Sequence, residues 1–444
     1  MDAILGRFLS AVPSEWCNGI RREFGYSGGG GLFSYPLICW LMIVQRLKGL
    51  SVESAWLTVS PELALRFSPT SKRAQSGTLS PFGGGYDHAR RAMPVEMAEA
   101  VFDRLFTELC VKLSAVNPRP SAFVLDGTTL SPDGSAKLRE EYPPHANQHG
   151  ESHYPHLRLL FAHELGTAMA VRPIWGPVRG KDRVSEQSLA LEMIGRLPEG
   201  AMVVADRAFG VFSIAYSVTN SGRSCLVRMT DQRFLSLVGK DADLSFDQER
   251  EFVWKPSAHD LRAHPEIPKN AMVPGCLIVR HVVPSNSKSV VRLLLFVSGS
   301  NMTGDELAAT YAKRWNIETD IRTLKHTLGL DRPSARLPDV LAKELILGVA
   351  AYNLVRAMGA LAAGHVGIDP RQVSFTRMAA CMQAYEQRLL DAPNQEELER
   401  LVLEMFTRAT ARTLKPRTRP NPPRHTWERP RSGKRRSTKK PKNT

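Results

Sequence analysis

Residues 311–330, YAKRWNIETDIRTLKHTLGL, set one carboxylate, Glu318, in line with Arg314, Arg322 and Lys325, with Tyr311 at the head. At ~100° per residue, positions 311, 314, 318, 322 and 325 share an arc of about 80° on a helix. Ile317, Ile321, Leu324 and Leu328 form the adjoining stripe, and Asn316, Asp320 and Thr323 point away. The spacing predicts a helix that docks through its apolar stripe and presents the tyrosine, the cations and the glutamate beside it, along ~20 Å. Ordinary i,i+4 pairing, worth only tenths of a kcal/mol, accounts for Glu318 between Arg314 and Arg322. It does not account for the tyrosine and the distal lysine on the same narrow face.

Two aspartates join this glutamate. Asp126 in SAFVLDGTTL and Asp206 in GAMVVADRAFG each follow an apolar strand and precede a small turn. That is where α/β folds gather ligand sites, and it is also where a lone aspartate caps a helix or shapes a turn. Two aspartates and a glutamate from separate elements can bind two hard divalent ions such as Mg²⁺ through oxygen, leaving positions for water and phosphate. Ions ~3.5–4 Å apart activate the attacking oxygen and stabilise the leaving one during in-line phosphoryl displacement. Arginine forks and a lysine point charge then meet the phosphates of the same strand.

The elements that must position these residues follow from the pattern along the chain. Residues 1–118 read as mainly helical: SYPLICWLMIVQRLKG, a second helix capped by Ser51, and PVEMAEAVFDRLFTELCVKL, broken by NPRPS. Residues 119–215 alternate strand and helix, with a hairpin turning near Gly166, which argues for an α/β core. Residues 216–305 carry the strand-like pieces SCLVRM, REFVWKP, GCLIVRHVV and SVVRLLLFVSG, read as an antiparallel β insertion. Residues 306–365 return to helices around Glu318, 366–410 hold one or two more, and 411–444 form a basic tail.

Composition bounds the partners. The chain has 444 residues, 43% of them hydrophobic and 23% charged, a globular composition with room for two or three domains. Of the net charge of +15, most sits in 411–444, with thirteen Lys or Arg against one acid. Such a Pro-rich, basic tail cannot bury a core; it suits phosphate backbones, and equally a solubilising end. The most apolar stretch, LILGVAAYNLVRAMGALAAG, carries Asn353 and Arg356 and reads as a buried helix rather than a membrane span. The N-terminus lacks a basic region followed by an apolar one, which argues against export. Six scattered cysteines without a C-x-x-C pair fit a reducing cytoplasm. His145, His149, His153, His156 and His163 match no common zinc spacing and read as a loop and strand surface. SGGGG at 27–31 lacks the lysine and hydroxyl of a P-loop. Arg90 and Arg91 read as a DNA contact or a solvated basic face.

The sequence resembles the DDE transposases of bacterial insertion sequences, in the branch marked by Y-(2)-R-(3)-E-(6)-K, which Tyr311, Arg314, Glu318 and Lys325 match at every spacing. LDGTTL is similar to that family's first-aspartate segment, VADRAFG to its second, and KELILGVAAYNLVRAM to the helix after its glutamate. The resemblance covers most of residues 30–365. It implies a ribonuclease H-like core interrupted by a β-rich insertion between Asp206 and Glu318, with helical regions at both ends. It also implies Asp126, Asp206 and Glu318 as catalytic ligands of two Mg²⁺ ions, for which Mn²⁺ can substitute. Tyr311, Arg314, Arg322, Lys325 and Arg207 become DNA or phosphate contacts, though Arg207 reads equally as an exposed helix-start residue. The implied reaction is cleavage at transposon ends to free a 3′-hydroxyl, then its attack on target DNA, in cut-and-paste transposition. The implied partner is double-stranded DNA, as terminal inverted repeats and as target, bound by a homodimer that holds two ends in a synaptic complex. The expected location is the bacterial cytoplasm, on the nucleoid when DNA is bound. Hairpin-forming relatives stack a flipped base on a tryptophan in the insertion; here that segment offers only Trp254, so the step is not carried over. A ribonuclease H-like nuclease that cleaves without joining, and a non-catalytic DNA-binding relative, are the alternatives; the second is disfavoured because all three acids are present.

Overall fold

Strand β1 (Ala122–Leu130) is the axis of the fold in a computed structural model that describes residues 2–25, 31–117, 121–148, 150–283 and 290–414. The stretch 26–30, within which most of SGGGG falls, His149, and the tail from 415 onward lie outside the described residues. On one side β1 pairs antiparallel with β2 (Leu157–Glu164), which pairs antiparallel with β3 (Ile174–Pro177), as expected for the hairpin around Gly166. On the other side it pairs parallel with β4 (Met202–Ala205), and β4 with β5 (Ser224–Arg228). Both are short continuous apolar runs, the pattern of strands covered on two faces.

The strands expected to form an insertion do not stand apart. β6 (Gln248–Trp254), β7 (Val273–Val282) and β8 (Val291–Ser298) are antiparallel, but β8 pairs with β5, giving one eight-stranded sheet ordered β3-β2-β1-β4-β5-β8-β7-β6. Alternating side chains explain the continuity: Phe123, Val203, Val227, Leu294 and Phe296 share one core, and Val124, Val204, Leu226 and Leu295 the other. Trp254 is buried, edge-on to Phe212 and Phe296. β6 ends the sheet as an edge strand on which Glu249, Arg250 and Glu251 are exposed, charges that discourage edge-to-edge pairing.

Helices α1 (Tyr35–Lys48), α2 (Gly84–Ala92) and α3 (Val95–Lys112) form the amino-terminal layer. Gly49, left-handed at φ 64°, closes α1, and Ser51 caps the next short helix by accepting from the Ser54 amide at 3.0 Å. On the face of the core that holds Phe123 and Val203 lie α4 (Glu186–Arg196) and α5 (Phe212–Asn220); the position 216, expected to open the insertion, falls inside α5. On the opposite face lie α6 (Gly304–Ala312), α7 (Asn316–Arg322) and α8 (Pro338–Val366). The helices α9 (Phe375–Leu390) and α10 (Gln395–Thr410) pack on α8.

Helix α8 is long and apolar enough to cross a membrane, yet 89% of its most apolar window is buried within the protein. Its buried polar residues Asn353, Lys343 and Glu344 are each hydrogen-bonded. Asn353 Nδ2 donates to Ala170 O and its Oδ1 accepts from Ala170 N, at 2.7 and 2.8 Å. Lys343 Nζ donates to Met93 O at 2.5 Å. Glu344 accepts from Arg46 (2.5 Å), Arg90 (3.1 Å) and the amide and hydroxyl of Ser334 (2.9 and 2.6 Å). Arg90 is therefore an internal strut rather than a DNA-facing cation, while Arg91 stays exposed beside Asp87.

Candidate active site

Strand register sets Asp126 and Asp206 side by side. Leu125 lies beside Ala205, and Ala205 beside Val227, so Asp126, Asp206 and Arg228 come next on three neighbouring parallel strands. Asp126 is not past the end of its strand, as expected from the sequence, but inside it. The pairing of β1 with β2 continues through Asp126↔Phe161 to Leu130↔Leu157, whereas the pairing with β4 stops at Leu125. The sheet opens there: β1 follows β2 and the chain after β4 turns away, which makes a crevice at the carboxyl end of the parallel strands. By alternation Asp126 and Thr128 point to the face that packs α6 to α8.

The third acid comes from that face. The expected single helix over 311–325 is instead four successive segments: α6 runs into a 3₁₀ turn at Lys313–Trp315, then α7, then a π turn at Thr323–Thr327. Overwound and underwound turns rotate in opposite senses about the α-helical value. Ile317, Ile321, Leu324 and Leu328 are buried against the sheet as the periodicity predicts. Asp320 does point away from Glu318, but into protein: it is 1% exposed, held by Arg356 and Arg371.

Electrostatics link the three acids. Burial pushes the Asp126 carboxyl up to about 6; Arg314 opposes this, and the charges of Asp206 and Glu318 add to it. Asp126 Oδ1 accepts from the Gly127 amide at 2.9 Å, and Asp206 Oδ1 from the Ala208 amide at 2.8 Å. Glu318 makes no hydrogen bond or ion pair among the described residues. Among the described residues no group of three or more His, Cys, Asp or Glu is gathered tightly enough to grip an ion as it stands. The donor set is nonetheless all carboxylate oxygen, on adjoining elements. That chemistry fits a hard divalent cation once Asp126 and Asp206 release their local amides.

The cations split into two groups. Tyr311 (2% exposed) and Arg314 (8%) are inside, and the Tyr311 hydroxyl and Arg314 Nε are buried without a hydrogen-bond partner. Burial raises the Tyr311 hydroxyl's pKa; Arg314 and Arg228 oppose that rise, and Asp206 adds to it, which puts all four in one neighbourhood. Arg314 lies over Trp315, 5.0 Å from its ring centroid, and Trp315 is 59% exposed, a flat apolar surface at the rim. Lys325 Nζ donates to Thr128 Oγ1 and Thr129 O, both at 3.1 Å, so it closes the π turn onto β1. Arg322 and Arg207 are exposed.

Two neighbours escaped the sequence reading. Arg228 ends SCLVR as Asp206 ends VVAD, so its place past an apolar run was an available signal. Glu186, at the start of α4, gave none. Its carboxyl occupies the space beside Gly127, where a Cβ would lie 2.8 Å from it, so a larger residue next to Asp126 would have to push the Glu186 side chain aside. His163 is fully buried, with Nδ1 3.0 Å from Ala168 O, and burial lowers it to about 4, so it is core rather than surface. The described histidines form no metal group, and all six cysteines are free.

The transposase DDE domain family matches residues 117–354, a span that holds Asp126, Asp206 and Glu318. The transposase InsG for insertion sequence element IS4 of Escherichia coli (strain K12) is 21% identical over 285 residues. That alignment takes in 62% of this chain and 61% of the relative.

Proposed function

The chain belongs to the transposase DDE domain family, and from that premise we propose that it is a DNA transposase. It cleaves at the ends of a mobile element and joins the freed 3′-hydroxyl to target DNA, in cut-and-paste fashion. What supports this reading is that Asp126 and Asp206 stand at the ends of neighbouring strand pairings, with Glu318 near enough for its charge to act on Asp126, all inside the matched span. Family membership implies a divalent metal; we assign Mg²⁺, with Mn²⁺ able to substitute, as two ions. Held by those three carboxylates, the ions would supply activation of the attacking oxygen and stabilisation of the leaving one.

The chain's own residues do the rest. Arg314, buried beside the acids, holds their charge in place and aims a guanidinium at the strand. Arg322 and Arg207 at the rim take phosphates, and Tyr311 offers its free hydroxyl to a phosphate oxygen. Lys325 fixes β1 through Thr128 and adds positive potential next to Asp126. The ordering β3-β2-β1-β4-β5, antiparallel then parallel, supports a ribonuclease H-like core that β6 to β8 extend. The divisions at 1–118, 119–215, 216–305, 306–365, 366–410 and 411–444 are retained as functional segments of it. Trp254, being buried, gives no support for base stacking by the insertion. The protein acts on double-stranded DNA in the cytoplasm, as a homodimer when two terminal inverted repeats are paired.

The test is incubation of the full chain with duplexes carrying the element's terminal repeats, target DNA and Mg²⁺. Cleaved ends with a 3′-hydroxyl, followed by joined products, are expected. Cleavage without joining would make it a nuclease, and binding with neither would make it a non-catalytic relative.

A further inference from the structure

Glu318 and Asp320, two residues apart on α7, face opposite ways by ~200°. α7 is a short regular stretch of seven residues between a 3₁₀ and a π turn, so winding from α6 alone does not fix its rotation; Ile317 and Ile321 seat one face in the core, and a hold on the far face is needed to complete it. Something outside the helix must decide where Glu318 points. Asp320 is the only acid of α7 that is fully buried, and both its oxygens are held. Oδ2 accepts from Arg371 Nη1 at 2.5 Å, and Oδ1 from Arg356 Nη2 at 3.0 Å.

Arg371 does more than neutralise. Its Nε donates to Leu165 O and its Nη2 to Glu164 O, at 2.8 and 2.9 Å. The Leu165 amide in turn donates to Ala122 O at 2.8 Å, at the head of β1. A single planar fork thus ties the strand that carries Asp126 to the helix that carries Glu318. Arg356, on α8, is itself fixed by the Tyr352 hydroxyl through Nε at 3.0 Å. The only bonds that leave α7 on this side run to these two arginines among the described residues.

We propose that Asp320, gripped by Arg371 and Arg356, is the positioning residue for Glu318: the clamp sets the rotation of α7 and its distance from β1, so that the glutamate faces Asp126 and Asp206. This rests on the metal reading given under Proposed function. A guanidinium is needed at 371 because three acceptors in different directions share it; a lysine has the charge but not the fork.

The experiment is Mn²⁺ titration of the DNA-free full chain, followed by electron paramagnetic resonance, with thermal unfolding run on the same samples. Wild type, D320N, R371K, E318Q and Leu277→Ala are compared; the last removes a buried side chain of β7, in the core on the other face of the sheet and towards its far edge. D320N and R371K are expected to weaken Mn²⁺ binding by roughly 10–100-fold, towards E318Q, as loss of supporting partners does at metal sites. Leu277→Ala should lose melting temperature but keep wild-type Mn²⁺ affinity. If D320N does not fold, R371K decides. A folded D320N or R371K with wild-type affinity would overturn the clamp alone. Wild type binding no more Mn²⁺ than E318Q would instead overturn the metal reading on which it rests.

Discussion

Two interior regions of this protein hold carboxylates, and they treat them in opposite ways. Around α8, Glu344 collects donors from Arg46, Arg90 and Ser334, and Asp320 is held by two arginines. Burial alone would raise the Asp320 carboxyl, but Arg371 and Arg356 outweigh it and hold it below the ordinary range. In the crevice a few residues away, Asp126 accepts one hydrogen bond, from the Gly127 amide, and burial pushes its carboxyl up to about 6 despite Arg314, with the like charges of Asp206 and Glu318 adding to the rise. The buried Tyr311 hydroxyl and Arg314 Nε beside it are unpaired. The first region spends its polar groups on holding elements together. The second leaves them unsatisfied, at a cost in stability, which is the arrangement expected where a ligand completes the bonding.

Substitutions on the two sides should therefore fail differently. D126N, D206N and E318Q should each cut DNA cleavage by roughly 10³-fold or more, about 4 kcal/mol of lost transition-state stabilisation, with end binding kept in gel shifts. Glu344→Ala strands Arg46 and Arg90 and should instead cost about 3–5 kcal/mol of folding stability in urea denaturation. If E318Q melted like Glu344→Ala, the contrast between the regions would be gone.

Gly127→Ala probes the border between them. The added methyl meets the Glu186 carboxyl at 2.8 Å, so a loss of about 1–3 kcal/mol is expected from overpacking. Adding Glu186→Ala to Gly127→Ala should restore most of it; no recovery would mean that the strain lies elsewhere.

The smallest effect is a gain. With its carboxyl raised from 3.8 to about 6, folded Asp126 holds its proton more tightly than the unfolded chain does, so its contribution to stability falls as pH rises between those values. D126N removes that penalty. At pH 7.5 it should be more stable than wild type by about 1–2 kcal/mol, after discounting for partial exposure. At pH 4 the difference should vanish. A destabilised D126N at pH 7.5 would contradict the assignment of Asp126 as a charge held against its surroundings.

The acids themselves were legible because each leaves a local mark: an apolar run that ends in an acid, and a glutamate whose neighbours repeat on a helical face. The apolar stripe of 317, 321, 324 and 328 was legible for the same reason. What could not be read depends on long-range partners. Asp126 lies inside β1 because β2 continues beyond β4. Asp320 is buried because α8 and Arg371, distant in sequence, cover it. The 3₁₀ and π turns break the uniform 100° step on which the helical reading relied, and the strands of 216–305 joined the main sheet through a core that no single strand reveals.

Anomalous diffraction from Mn²⁺-soaked crystals of the full chain tests the central assignment most directly. Metal peaks bounded by the carboxylates of Asp126, Asp206 and Glu318, and missing in E318Q, are the expected result. Saturating Mn²⁺ with no anomalous density among those three side chains would contradict it.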